Sequence, residues 1–268
     1  MAPNFSHRRS LRFKFWVTLG ILFLISSLLI GAGYLILYSS FFKVKQIDIQ
    51  GNNLISSALL KANLISQMLE NQEWRSWLGP DNILFWQLGE KPKTIKAIPA
   101  LKSLFITVNF RERKILLQVK ERQLLGIWCL VSQNCYIFDQ DGILFSSAPE
   151  AEGSLILKII DQNNRSLQIG QKVLENPEWF KNILIVWDIF QKNGVGPGTI
   201  IVNDFSLRQW EIDILGGPKF YFSLDNIPSD LAQILKGLAH ALQFNVLQYL
   251  DFRVPNRIYY KLLAKNHK

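Results

Sequence analysis

The residues able to do chemistry in this chain are few and poorly grouped. Cys129 and Cys135 stand six apart, as Cys-Leu-Val-Ser-Gln-Asn-Cys. Apolar, strand-like residues flank them, Ile127-Trp128 before and Tyr136-Ile137-Phe138 after. A hairpin would set the two side by side at bridging distance, so a disulfide is the expectation, with two buried small thiols as the alternative. Two cysteines without a nearby histidine leave a tetrahedral zinc half coordinated, which argues against a metal site. The three histidines, His7, His240 and His267, fall in no motif. Asp139-Gln140-Asp141-Gly142 begins like a calcium loop, but the later ligands are missing and it reads as a turn. Gly194-Val195-Gly196-Pro197-Gly198 follows a helical pattern instead of opening one, the wrong side for a phosphate cradle. Gly-x-Ser-x-Gly and His-Glu-x-x-His do not occur. The sequence therefore predicts no catalytic residue, no metal ligand, no cofactor and no small-molecule substrate. It reads as a non-enzyme.

Charge gives the next constraint. The net charge is +9 over 268 residues, but it is unevenly placed. Residues 1–42 hold Arg8, Arg9, Arg12 and Lys14 and no acid, leaving 26 basic against 21 acidic residues in the remainder. A small excess without a dense basic stripe is a poor footprint for nucleic acid, and none is expected as a partner. Acidic envelope polymers or anionic lipid would be attracted equally well.

The reason for that asymmetry lies next to it. No charged residue occurs in the 28 positions from Phe15 to Phe42. About 20 apolar residues cross the hydrocarbon of a bilayer, and the backbone within it must satisfy its own hydrogen bonds as a helix. Residues 15–37 are thus a predicted transmembrane helix. The four basic residues before it predict that residues 1–14 form a cytoplasmic tail. Trp16 at one end and Tyr34 and Tyr38 at the other suit the two interfaces. A cleaved signal peptide would have a shorter core and a better cleavage site than Gly31-Ala32-Gly33.

The span positions everything after it on the far side of the membrane, where disulfides persist. Residues 42–49 read as a strand with a parity shift near Lys45-Gln46, expected to be a bulge. Ser56 is an N-cap for a helix to about Glu70, with Leu59, Leu60, Leu64, Ile65, Met68 and Leu69 as its apolar face. Residues 71–90 carry Trp74, Trp77, Phe85 and Trp86 among Gly and Pro and read as a loop with a helical turn. A short helix at 91–98 is expected to end at Pro99. Alternation then predicts strands at 104–108 and 115–119. That order, β-α-α-β-β, makes a small three-stranded unit covered by two helices.

From about residue 123 short strands dominate, at 126–130, 136–139, 142–146, 155–160 and 166–169. Asn176-Pro177-Glu178 opens a helix whose stripe is Phe180, Ile183, Leu184, Trp187 and Phe190, and Asn193-Gly194 closes it. Strands follow at 199–204, 208–214 and 218–224. A helix at 229–244 shows Leu231, Ile234, Leu235, Leu238 and Leu242 on one face. Two last strands, 248–253 and 257–262, flank Val254-Pro255-Asn256-Arg257.

Four stretches, taken together and in order, resemble the bacterial cell-division proteins of the FtsQ/DivIB family. They are the basic tail with its single span; Phe42-Lys-Val-Lys-Gln-Ile-Asp-Ile-Gln-Gly51-Asn52; Ile115-Leu-Leu-Gln-Val-Lys-Glu-Arg122 with Tyr136-Ile-Phe-Asp-Gln-Asp-Gly-Ile-Leu-Phe145; and Tyr249-Leu-Asp-Phe-Arg-Val-Pro-Asn-Arg-Ile-Tyr-Tyr-Lys261. The chain departs from the family in its longer, Trp-rich 71–90 segment, in Asn256 where glycine is usual, and in its cysteine pair. The resemblance implies an α+β protein with a transmembrane helix at 15–37, a POTRA domain at 42–122, a mainly antiparallel β domain with two packed helices at 123–263, and a tail at 264–268. It implies a membrane-anchored scaffold at the division site that binds FtsB/FtsL-like single-pass proteins and other membrane divisome proteins. The last strand is the expected binding edge, with Ile258, Tyr259, Tyr260 and Leu262 as apolar anchors and Arg257 and Lys261 as cations for acidic partners. By alternation, one of Tyr259 and Tyr260 should face inward. The rival family, envelope transport or secretion components that join POTRA units to a membrane β-barrel, fits less well. Residues after 122 lack barrel-length alternating strands and carry two amphipathic helices.

The topology is directly testable. A reporter enzyme active only outside the cytoplasm, fused after residue 45, is expected to be active. Activity of a cytoplasm-only reporter at the same position would overturn the orientation.

Overall fold

The charge-free run at the start of the chain is one continuous helix, α1 (Ser6–Tyr38), in the computed structural model of the protein. Its segment Lys14–Tyr38 is 25 residues long and apolar enough to cross a membrane. At about 1.5 Å per residue this exceeds a hydrocarbon core of about 30 Å. The structure describes residues 6–132, 134–149, 156–196, 198–240 and 243–263. Beyond α1 the fold is α+β. The chain divides into two units, Met1–Glu121 and Arg122–Lys268.

In the first unit, a 3-10 turn at Ser40–Phe42, capped by the Ser39 hydroxyl, follows α1. Strand β1 is Gln46–Gln50. Helix α2 (Ser57–Asn71) begins where the Ser56 side chain accepts the Leu59 N–H. Two short helices, α3 (Arg75–Leu78) and α4 (Ile83–Gln87), precede β2 (Leu101–Asn109) and β3 (Lys114–Glu121). The sheet order is β1-β3-β2, with β1 parallel and β2 antiparallel to the central β3. Leu104, Ile106, Ile115, Leu117 and Val119 point from the sheet onto Leu60, Leu64 and Met68 of α2. The Glu121 carboxylate ends β3 by accepting the backbone N–H groups of Asn53, Leu54 and Ile55 at 2.8–3.0 Å, which ties the β1–α2 turn to the central strand. Gly51 in that turn has φ +84°, and a Cβ there would meet the Val119 carbonyl at 2.2 Å.

Three expectations for this unit need correction. Residues 42–45 are not strand with a bulge. Lys43 bridges Asn82 and the Val44 N–H donates to Asp81, so the parity shift marks a change of partner. Leu59 is more than half exposed, because α2 buries a narrower stripe. Residues 91–98 form turns in place of a helix. Gln67 on α2 takes over their backbone, accepting from the Lys96 N–H at 2.8 Å and donating to the Thr94 carbonyl at 2.9 Å. Ile95 and Ile98 then reach the core without helical spacing.

The second unit is a nine-stranded sheet. Its strands are β4 (Gly126–Leu130), β5 (Cys135–Phe138), β6 (Leu144–Ala148), β7 (Leu157–Asp161), β8 (Thr199–Asp204), β9 (Gln209–Asp213), β10 (Lys219–Ser223), β11 (Leu247–Asp251) and β12 (Tyr259–Leu262). The order is β12-β11-β10-β9-β8-β7-β4-β5-β6. The β10–β11, β7–β8 and β4–β7 pairings are parallel and the other five antiparallel, so the sheet is more mixed than expected. Helix α5 (Pro177–Lys192) starts with the Asn176 side chain accepting the Glu178 N–H and proline in the first turn. Helix α6 (Leu231–His240) leads to a 3-10 turn, Gln243–Val246. Phe180, Ile183, Val186 and Phe190 of α5 and Leu231 and Leu235 of α6 share one core with Phe220, Phe222 and Leu250 of the sheet. Leu242 of the expected apolar face, residue 155 of the expected strand at 155–160, and the tail 264–268 with His267 lie outside the described residues.

The expected strand at 166–169 is a loop. Its backbone is claimed locally, with the Gln168 N–H donating to the Gln171 side chain. Asp139 makes the expected turn. Its Oδ1 accepts the Asp141 and Ile143 N–H groups and its Oδ2 accepts Arg122 Nη1 at 2.6 Å. Cys129 and Cys135 sit opposite each other in the β4–β5 register and are joined by a disulfide, with Cα atoms 4.1 Å apart.

One buried carboxylate organises the middle of the sheet. Asp161 is fully buried at the end of β7 and accepts Trp128 Nε1 at 3.1 Å, Arg165 Nε at 2.6 Å and the Asn163 N–H at 3.0 Å. The Arg165 guanidinium lies 4.7 Å from the Phe205 ring centre. Removing one member of such a set leaves the others desolvated and unpaired. Asp161→Ala is expected to destabilise the protein by about 3–5 kcal/mol, read as an early unfolding transition in thermal melts of the detergent-solubilised chain. A melt unchanged from wild type would show that the set contributes little.

Candidate functional site

An open sheet has two edges, and they differ here. Along β6, the Leu144 N–H donates to the Gln171 carbonyl, the Gly170 N–H donates back to Leu144, and Ile143 bridges Lys172. That edge is partly covered by its own loop. Along β12, Tyr260 pairs with Leu250 and Tyr259 with Asp251 on the inner side, and no backbone hydrogen bond on the outer side is found among the described residues. A strand with one free row of N–H and C=O groups is a template for another strand.

Local sequence explains how β12 is held. The β11–β12 turn has Asn256 at φ +59°, the left-handed backbone that asparagine tolerates, and the Arg257 N–H closes it onto Val254. Beneath β11, Phe252 stacks on Phe222 at 5.4 Å and on Phe220 at 6.4 Å. Its N–H donates to the Tyr221 carbonyl and extends the β10–β11 pairing. At the other end, the Leu263 N–H donates to Val246. A four-residue strand is thereby fixed at both ends on a rigid base.

The register assigns the faces. Tyr260 lies opposite Leu250, on the helix-covered side, whereas Tyr259 and Lys261 lie opposite Asp251 and Tyr249, on the open side. Tyr259 is 49% exposed and Tyr260 65% exposed. The alternation holds, with Tyr260 on the core-side face, but neither tyrosine is buried. The core ends under β11, where Leu250 and Phe252 are buried, so a side chain of β12 on the core side still meets solvent. Ile258 and Leu262 are exposed as well. Arg257 and Lys261 are exposed and make no ion pair among the described residues. A cleft of about 260 Å³ runs beside the turn, lined by Ile227, Pro228, Ile234, Phe252, Val254 and Ile258.

Sequence reasoning missed the open-face neighbours of the edge. Tyr221 and Tyr249 meet edge to face at 5.7 Å, and the Arg253 guanidinium lies 5.3 Å from the Tyr221 ring centre. Arg253 also grips Asp251 through both carboxylate oxygens, at 2.9 and 2.6 Å, and reaches Gln209 at 2.9 Å. Lys219 Nζ donates to Glu211 at 2.9 Å. The polar residues alternating with core Phe220, Phe222 and Leu250 were the available signal. Among the described residues, no group of three His, Cys, Asp or Glu is placed to hold a metal ion. The arrangement can bind a chain by backbone pairing and apolar contact.

The charges beside the edge set a pH window. Burial works to raise the Asp251 carboxyl, but the Arg253 hydrogen bonds and charge outweigh it and hold it below the ordinary 3.8. A depressed carboxyl contributes stability above its unfolded pKa and loses it as pH falls through the folded value. The Glu211 hydrogen bond is the largest influence raising Lys219 above 10.5, against desolvation. That contribution is full below the unfolded lysine value and is lost as pH rises through the folded one. Asp251→Asn is therefore expected to flatten the fall in thermal stability below about pH 4, measured by circular dichroism melts. An acid limb as steep as wild type would show that the Arg253–Asp251 pair is not its source.

Comparison with known proteins returns no match, either to a family model or to a curated protein.

Proposed function

We propose that this chain is a membrane-anchored scaffold of the bacterial division machinery, of the FtsQ/DivIB type, which captures a single-pass partner by strand addition to β12. The observation that carries the reading is the outer edge of β12, which no strand pairs among the described residues, with its exposed Ile258, Tyr259, Tyr260 and Leu262. Backbone pairing supplies affinity in such contacts and alternate side chains supply specificity. Aromatic anchors and arginine are the residues that usually carry interface energy. Arg257 and Lys261 suit an acidic FtsB/FtsL-like segment.

The remaining features fit the same role. Helix α1 anchors the chain, with residues 1–14 in the cytoplasm by the positive-inside rule. The β1-β3-β2 unit with its helices serves as the membrane-proximal POTRA domain. Scaffolding requires no catalytic residue.

Tyr260→Glu in the full-length chain is expected to weaken capture of the FtsB/FtsL-like partner by about 10- to 100-fold, or roughly 1.4–2.8 kcal/mol. Tyr260→Phe should retain most of it. The wild-type chain, tagged at its N-terminus, should form a midcell band before constriction. Undiminished capture by Tyr260→Glu would move the binding surface elsewhere. An even envelope signal with normal division after depletion would remove the divisome reading.

A further inference from the structure

The Trp-rich segment between α2 and β2 is bound to the end of α1. Asn82 Nδ2 donates to the Ile36 carbonyl at 2.8 Å, in the last turn of that helix. The Val44 N–H donates to Asp81 at 2.7 Å, and Lys43 bridges Asn82. Arg113 Nη1 reaches the Ser40 carbonyl at 2.6 Å. The 25-residue segment Lys14–Tyr38 outreaches a hydrocarbon core of about 30 Å, so its last turn stands at the headgroup level. Tyr34 and Tyr38, with ring centres 4.8 Å apart, mark the same level. The α3–α4 loop is held at that height.

On α3, a few residues away, Trp77 is 83% exposed, and Trp74 is half-exposed. The rest of the segment is firmly packed, with Ile83, Phe85 and Trp86 fully buried. Arg75 is also fully buried. Its Nη2 donates to the carbonyls of Leu88 at 2.5 Å and Glu90 at 2.9 Å, and its guanidinium lies between the Trp74 and Phe85 rings. Trp77 is thus displayed from a rigid platform. An indole, apolar with one N–H donor, partitions to the membrane–water interface. The exposed cations Lys43 and Lys45 beside the anchor suit lipid phosphates.

We propose that α3 rests on the extracytoplasmic face of the bilayer that α1 crosses, with Trp77 seated among the lipid headgroups. This rests on reading α1 as a membrane span. The contact would give the first unit a second attachment to the membrane and restrict its rotation about α1.

Depth measurement on the full-length chain in phospholipid vesicles tests it. The native cysteines are joined to each other, so under non-reducing conditions a nitroxide attaches only to an introduced thiol. Trp77→Cys is compared with Leu54→Cys, which is 84% exposed and lies beyond the far end of β1, and with Leu29→Cys in the middle of α1. The expected ratio of collisions with oxygen to collisions with a water-soluble nickel complex is several-fold higher at 77 than at 54. Equal ratios at 77 and 54, with 29 in lipid, would overturn the contact and leave the span intact. Water access at 29 would overturn the span and the contact with it. Shielding of 77 from both reagents would assign Trp77 to a protein contact and also overturn the proposal.

Discussion

A β-sheet that does not close must leave two rows of backbone hydrogen-bond groups without a strand beside them. In this protein everything of functional interest in the second unit follows from how those two rows are treated. The β6 row is met by residues 170–172. The β12 row is met by nothing among the described residues. Helices α5 and α6 cover one face of the sheet, and their apolar cover stops at β11. The outermost strand is left ordered but exposed, on a base of stacked phenylalanines.

The same accounting of backbone partners explains the first unit. The segment after α1 does not extend β1, because the Phe42 and Lys43 N–H groups close the 3-10 turn onto Ser39 and Ser40 and the Val44 N–H donates to Asp81 in the α3–α4 loop. The loop in turn spends Asn82 on the last turn of α1, where helical carbonyls lack intrahelical partners. Buried Arg75 makes no ion pair among the described residues, and its Nη2 donates to two carbonyls, which ties α3 to the segment before β2. The long segment between α2 and β2 is thereby made part of the packed unit.

Much of this was legible from residue type and spacing alone. Ser56 and Asn176 cap the helices they were expected to cap, since an N-cap is a contact across two or three residues. The disulfide follows from two cysteines flanked by alternating apolar residues, again a short-range matter. Two of the segments read wrongly, 42–45 and 91–98, meet groups whose positions no local pattern reveals, Asp81 and Asn82 for the first and Gln67 for the second. In the third, 166–169, the Gln168 N–H is taken by the nearby Gln171 side chain and not by a strand. Short apolar runs do not state whose hydrogen bonds they will make.

The sequence by itself determined the apolar helix, the two helix caps, the cysteine bridge and the alternation of the last strand, because each depends on neighbours within a few residues. The tertiary structure decided the strand order, the mixture of parallel and antiparallel pairings, which edge is covered, and which tyrosines are wet. Tyr260 shows the difference. Its place on the core-side face is a matter of parity, which period two supplies. Its exposure depends on how far two helices, distant in the chain, extend their apolar cover across the sheet, and only the packed fold sets that limit.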